Sequence, residues 1–200
     1  MMLGKIFILS FILSFYAFQI QAKSLSSTLW PDLNINDPKL SMDTVARQCQ
    51  KSLMYAPEQL EAWCEKAYKM GAWDSLLYIG YHTGDGSRYV KELRSRVLKN
   101  ELLAIEKLAW LYDGGLFVEN NPKESARLYE LFLKQGKNVH PRRLMSVHYD
   151  LAEIYKRLEN WPKVIENAQY VIDHNEGDGS DSLAKSLKAE AQIEMNKASN

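Results

Sequence analysis

The chain has 200 residues, with 25 basic and 25 acidic side chains and a formal net charge of zero. Such balance, with no basic run longer than Arg142-Arg143, argues against a nucleic-acid partner, which needs net or strongly clustered positive charge. In chain order, the first expectation is a secretory signal peptide over residues 1–22. Lys5 gives the positive start, residues 6–20 are an apolar run broken by Ser10, Ser14 and Gln19, and Ala22 offers the small residue at the cut. The alternative is an uncleaved membrane anchor, for which the run is short against the ~20 apolar residues of a span. Cleavage removes only Lys5 among charged residues and leaves 24 basic against 25 acidic side chains on about 178 residues, which is one domain or one short repeat array. Export predicts a periplasmic or secreted protein with no integral membrane segment after cleavage.

Residues 23–40 read as an extended lead, punctuated by Trp30-Pro31, Asn34, Asn36 and Asp37-Pro38, because Pro also restricts the residue before it. Helical periodicity begins behind Ser41, an N-cap for Met42, Val45, Ala46, Cys49 and Leu53. After Ala56-Pro57 a second helix carries Leu60, Trp63, Cys64 and Ala67 to Gly71. The only two cysteines, Cys49 and Cys64, enter an oxidising compartment on export and are expected to form a disulfide across this hairpin. Two buried thiols are the alternative, and no neighbouring ligands support a metal site.

The domain that follows from residue 41 to 200 is expected to hold hairpins at about 41–71, 72–100, 101–136 and 143–175, and a capping helix at 183–196. In the second, Leu76, Leu77, Ile79 and Gly80 stop at Gly84-Asp85-Gly86, and Ser87 caps a partner with Val90, Leu93, Val97 and Leu98. Residues 137–143 read as a basic, Pro-containing loop. The fourth hairpin turns at Glu159-Asn160-Trp161-Pro162, and the last helix shows a stripe of Leu183, Leu187, Ala191 and Ile193. A narrow stripe suits a terminal cap with one face in water.

The clearest unit is 104–136. It runs Leu108-Ala109-Trp110-Leu111-Tyr112, Gly115 and Val118, then a turn at Asn120-Asn121-Pro122, then Glu124-Ser125, Tyr129 and Lys134-Gln135-Gly136. This stretch resembles the Sel-one-like repeat, a relative of the tetratricopeptide repeat. Ala109 stands where that repeat usually has Gly, Asn121 where it has Asp, and Phe132-Leu133 where it has a small Ala pair. The flanks match more weakly, at Ala67-Tyr68, Gly71 and Ile79-Gly80 and at Leu151-Ala152, Tyr155, Ala168 and Val171, so the resemblance covers about 65–175. It implies an all-α fold, a short right-handed α-solenoid of stacked antiparallel helix hairpins used for protein–protein contact, with no catalytic residues; the residues themselves lead to no expectation of a cofactor or metal. The physics of stacked hairpins agrees, because one hairpin cannot bury its apolar faces alone.

Other chemistry finds little support. His82, His140, His148 and His174 show no metal-ligand spacing and read as surface or turn residues. In the loop at 173–179 the Gly is displaced from its calcium-loop position and the closing Glu is missing, and Gly84-Asp85-Gly86 is a turn rather than a phosphate cradle. In stacked hairpins the first helix of each pair lines the concave face. Counting from the Leu-Ala/Gly landmarks places Asp74, Leu77 and Tyr81 there, with Glu106, Trp110 and Asp113, and Tyr149, Glu153 and Lys156. Trp110 and Tyr81 among acids would suit a partner protein with apolar and basic anchors. Trp110 packed beneath the lead is the alternative. The expected role is scaffold or regulator of an envelope complex. The alternatives are an immunity-type protein neutralising a periplasm-delivered toxic enzyme and, further off, a glycan-binding protein or enzyme.

Overall fold

A computed structural model describes residues 30, 33–175 and 181–198. The signal segment expected at 1–22 and most of the loop at 173–179 lie outside them. Among the described residues the fold is all-helical, as expected, with nine α-helices and no strand. These are α1 (Met42–Tyr55), α2 (Leu60–Lys69), α3 (Leu76–Thr83), α4 (Ser87–Val97), α5 (Leu102–Gly114), α6 (Pro122–Gln135), α7 (Pro141–Arg157), α8 (Trp161–His174) and α9 (Asp181–Ala198). The chain divides into two compact units, one ending at Tyr89 and the other starting at Val90. The division falls inside the segment read as the second hairpin.

In the first unit, Asn34 and Asp37 fold the lead into consecutive turns: Asn36 N–H donates to Asn34 Oδ1 and Lys39 N–H to Asp37 Oδ1, both at 2.9 Å. Lys66 Nζ pins the lead to α2 by donating to Ile35 O. Ser41 caps α1, its Oγ accepting from Thr44 N–H at 3.2 Å, and the helix stops at Ala56, where Pro57 follows and opens a 3-10 turn. α1 and α2 pack through Val45, Cys49, Leu60, Trp63, Cys64 and Ala67, all of which are buried. The expected disulfide joins Cys49 to Cys64, with an S–S distance of 2.05 Å and Cα atoms 4.6 Å apart. A second 3-10 turn, Trp73–Ser75, leads into α3, and the fully buried Tyr89 stacks on Trp73 and donates its hydroxyl to Asp74.

In the second unit, α5 packs on α6, α7 on α8 and α8 on α9, with further contact between α6 and α7 and between α7 and α9. The closest approaches use small residues. Ala109, Ala152, Ala168 and Ala191 are fully buried, and Ser125 Oγ on α6 donates to Ala109 O on α5 at 2.8 Å. Around them sit Leu108, Leu111, Leu128 and Phe132, then Val147, Leu151, Ile154, Val164 and Val171, each contributing about 1.5–3 kcal/mol by leaving water. Gly115 closes α5 with φ +67°, a left-handed conformation that lets the chain turn back. Asn121 and Asn160 then cap α6 and α8, accepting from Glu124 N–H at 3.0 Å and Lys163 N–H at 3.4 Å, with Pro122 and Pro162 in the first turn.

Three local expectations need correction. Ser87 does not cap α4 but is its first residue, and the carboxylate of Asp85 accepts its N–H at 2.9 Å. The loop expected at 137–143 ends at His140. Pro141 opens α7 because its fixed φ suits the first helical position, and His140 Nδ1 accepts from Arg142 N–H at 3.3 Å. On α9 the buried stripe is Ala184, Leu187 and Ala191, while Leu183 and Ile193 are exposed.

Candidate partner-binding face

The second unit brings together six of the residues expected to meet a partner. On α5, Glu106, Trp110 and Asp113 lie within two turns of each other, so they share a face. Trp110 is 42% exposed, which excludes a core role within this unit. Leu103, also exposed, lies two turns before it on the same face.

Two arginines of α7 reach this face. Arg143 pairs with Glu106, and Arg157 pairs with Asp113. The two positions on α7 are almost four whole turns apart, so both side chains leave the helix on one side. The pairs occur in the same order along α5 and α7, which sets these two helices parallel, as the first helices of successive hairpins must be. Arg143 is further positioned by the fully buried Phe132, with its guanidinium 5.6 Å from the ring centre. On α7 itself, Tyr149 donates its hydroxyl to Glu153 Oε1 at 3.0 Å, and Lys156 Nζ reaches Glu190 Oε2 of α9 at 2.7 Å.

These contacts change the electrostatics expected from the sequence. The acids were to receive basic groups of a partner, but each carboxylate of α5 and α7 here already has a donor from within the unit. Asp150 is the most perturbed. Burial, and then the nearby Asp113 and Glu153 charges, push its carboxyl up to about 6 against the opposing hydrogen bond from Tyr129. Burial likewise raises the buried Tyr129 hydroxyl above its ordinary value.

The three expected residues of the first unit are placed differently from one another. Leu77 is buried with Leu76, Ile79 and Gly80, so it belongs to the core and not to a binding face. α3 packs against α2 and α1, and a helical count from Gly80 does not show which residues of a face such neighbours cover. Asp74 accepts the Tyr89 hydroxyl, and Tyr81 is exposed. A groove of about 360 Å³ in this unit is lined by Asp43, Arg47 and Gln50 of α1 with Asp74 and Tyr78.

Of the histidines, His148 departs from the surface reading. It is half-buried on α7, hydrogen-bonded to Asn167 Oδ1 at 2.8 Å and stacked on Tyr170, which stacks in turn on His174. Burial holds its imidazole below the usual range. Among the described residues no group of three or more His, Cys, Asp or Glu could hold a metal ion, and no helix is long and apolar enough to cross a membrane.

Sequence reasoning missed Arg143 and Arg157. Arg143 falls within the loop expected at 137–143, and its place on a helix is visible only once Pro141 is read as a first helical residue. No family model matches the chain, and neither curated proteins nor solved structures give a match to it.

Proposed function

We propose that this chain is an exported protein–protein interaction module of the Sel-one-like, tetratricopeptide-like class, acting in an envelope complex as scaffold or regulator rather than as an enzyme. The observation that carries the reading is the exposed Trp110 on α5, set between the Glu106–Arg143 and Asp113–Arg157 pairs. A large aromatic held at the surface among ordered polar side chains is the usual form of an interface anchor, because it buries much area at little entropic cost. The small residues at the α5–α6 and α7–α8 crossings and the fully buried aliphatic core fix the two helices that carry this face. A preformed surface loses little freedom when it binds.

The export part of the reading rests on Lys5, the apolar run behind it and Ala22, and on a buried cystine in the first unit, a bond that persists in oxidising compartments.

A photo-crosslinking residue placed at position 110 in the exporting cell tests the function. The expected result is one dominant protein adduct in the envelope fraction, lost when the crosslinker is moved to the buried position 108. Adducts to lipid or glycan alone would overturn the reading. An adduct to an enzyme whose activity falls on binding would assign the neutralising role in place of the scaffold.

A further inference from the structure

We propose that the groove of the first unit binds a small zwitterion, a short peptide with both ends free, its ammonium between Asp43 and Asp74 and its carboxylate on Arg47. The site uses residues of the first unit alone and does not rest on the protein-binding reading above.

The groove forms because the chain after α2 runs back along α1. A Cβ at Gly71 would meet Met42 Sδ at 3.8 Å, and Ser75 O lies 3.9 Å from Cys49 Sγ. Residues 71–75 therefore follow α1 in its own direction. This sets Ala72 and Asp74 beside Asp43, Ala46, Arg47 and Gln50, which share one side of α1. Ala46 and Ala72 are small, and the groove they line holds about 360 Å³, room for a small ligand.

The charged groups of this groove are not satisfied within the unit. Among the described residues, the side chains of Asp43, Arg47 and Gln50 have no hydrogen-bond or ion-pair partner. Asp43 and Arg47 carry opposite charge one turn apart, the spacing at which helical pairs form, yet they do not pair with each other. Asp74 is held in place by the hydroxyl of the fully buried Tyr89. Burial, and then the nearby Asp74 and Tyr81, raise the Tyr78 hydroxyl above its ordinary value and keep it protonated as a donor.

The signs of these charges select the ligand. A ligand with positive charge alone would cover Arg47 without a counter-charge, and one with negative charge alone would meet two carboxylates. A neutral polyol would remove water from all three charges and supply no counter-charge. Each leaves a desolvated charge unpaired, which is costly. A zwitterion pairs both signs. Its ammonium brings three N–H donors, enough to bridge Asp43 and Asp74, and its carboxylate accepts the paired donors of a guanidinium. The Gln50 amide can donate to the same carboxylate. Asp43 and Arg47 are about 6 Å apart along α1, and two extended peptide residues span up to about 7 Å.

The test is an NMR titration of the intact protein with isotope-labelled alanine methyls, using alanyl-leucine as the probe. The Ala46 and Ala72 methyls report on the groove, and Ala109 and Ala152 of the second unit are the controls. Saturable shifts are expected at Ala46 and Ala72 and not at the controls. N-acetyl-alanyl-leucine, which lacks the ammonium, and alanyl-leucine amide, which lacks the carboxylate, should each bind about tenfold more weakly or worse. Arg47→Gln should weaken alanyl-leucine by a similar factor and leave its amide unchanged, and Arg47→Lys should retain part of the affinity. Asp43→Asn should weaken alanyl-leucine and leave the N-acetyl form unchanged. Loss of fold would weaken every probe alike, so this pattern reports contact. Free L-leucine binding as tightly as alanyl-leucine would support the site with a ligand of one residue. No saturable shift at millimolar probe, equal affinity for blocked and unblocked forms, or shifts with maltose and none with alanyl-leucine, would overturn the proposal.

Discussion

Arg157 on α7 holds Asp113 on α5, one helical turn beyond Trp110. Together with Arg143 and Glu106 it frames the tryptophan on both sides along α5. The pairs are half-exposed, so their value lies in orientation more than in stability. Exposed pairs contribute about 0–1 kcal/mol and are screened by salt. Arg143→Gln or Arg157→Gln should therefore cost less than ~1 kcal/mol in chemical denaturation. A loss several times larger would mean that these pairs hold α5 and α7 together.

The disulfide has a different standing, because both sulfurs are fully buried between α1 and α2. It closes a loop of 15 residues, for which constraint of the unfolded chain is worth about 3 kcal/mol. The double variant C49S/C64S should lower the stability of the first unit by roughly that amount or more, since two hydroxyls are then buried. Thermal denaturation with and without reductant checks it, and the variant should not respond to reductant.

Asp150 should give the second unit a pH dependence of unusual sign. Its folded value of about 6 lies above the ordinary carboxylate value of 3.8. Between these values the folded state holds the proton and the unfolded state has lost it, so this group's contribution falls as pH rises from about 4 to 6. The lowered carboxyls of Glu65 and Glu124, held down chiefly by Arg88 and Arg127, act oppositely and lose stability as pH falls. Burial of His148 also costs stability below the usual imidazole range. The comparison must therefore be made with the wild type at each pH. Asp150→Asn should be near neutral at pH 4 and stabilising by about 1–2 kcal/mol at pH 7, a two-unit shift discounted for partial exposure. Denaturation curves of both proteins at the two pH values decide it.

Gly115 should resist replacement. Its φ of +67° is costly for any residue with a Cβ, and a Cβ there would sit 3.3 Å from Asn120 Cβ. Gly115→Ala should destabilise by about 1–2 kcal/mol, read as a lower denaturation midpoint with an unchanged slope.

Much of the fold was legible because its punctuation is local. Ser41, Asn121 and Asn160 are followed at once by apolar periodicity, and each is a cap in the structure. The cystine followed from two cysteines on adjacent helices together with the expectation of export. The errors arose where local signals compete. Pro141 can end a loop or begin a helix, and the choice decides whether Arg143 can face α5. Leu77 was misplaced because α1 and α2 cover that end of α3, and the helical count from Gly80 carries no information on which end of a face is covered. On α9 the large Leu183 and Ile193 outweighed Ala184 in the pattern, although a small residue permits the closer approach and is the one buried. The acids of the face were identified by position, but their partners come from a helix 37 residues away in the case of Glu106 and 44 in that of Asp113. No window of sequence shows such a pairing.

The central claim is that Trp110 belongs to a binding face and not to a core. One variant tests it, Trp110→Ala, with its stability and its affinity for the crosslinked partner measured on the same preparation. Removal of an exposed aromatic anchor should weaken binding by at least 1–2 kcal/mol and leave the melting temperature within a few degrees of wild type. A stability loss of about 3–5 kcal/mol, the cost of truncating a buried aromatic, with unaltered affinity per folded molecule, would contradict the account.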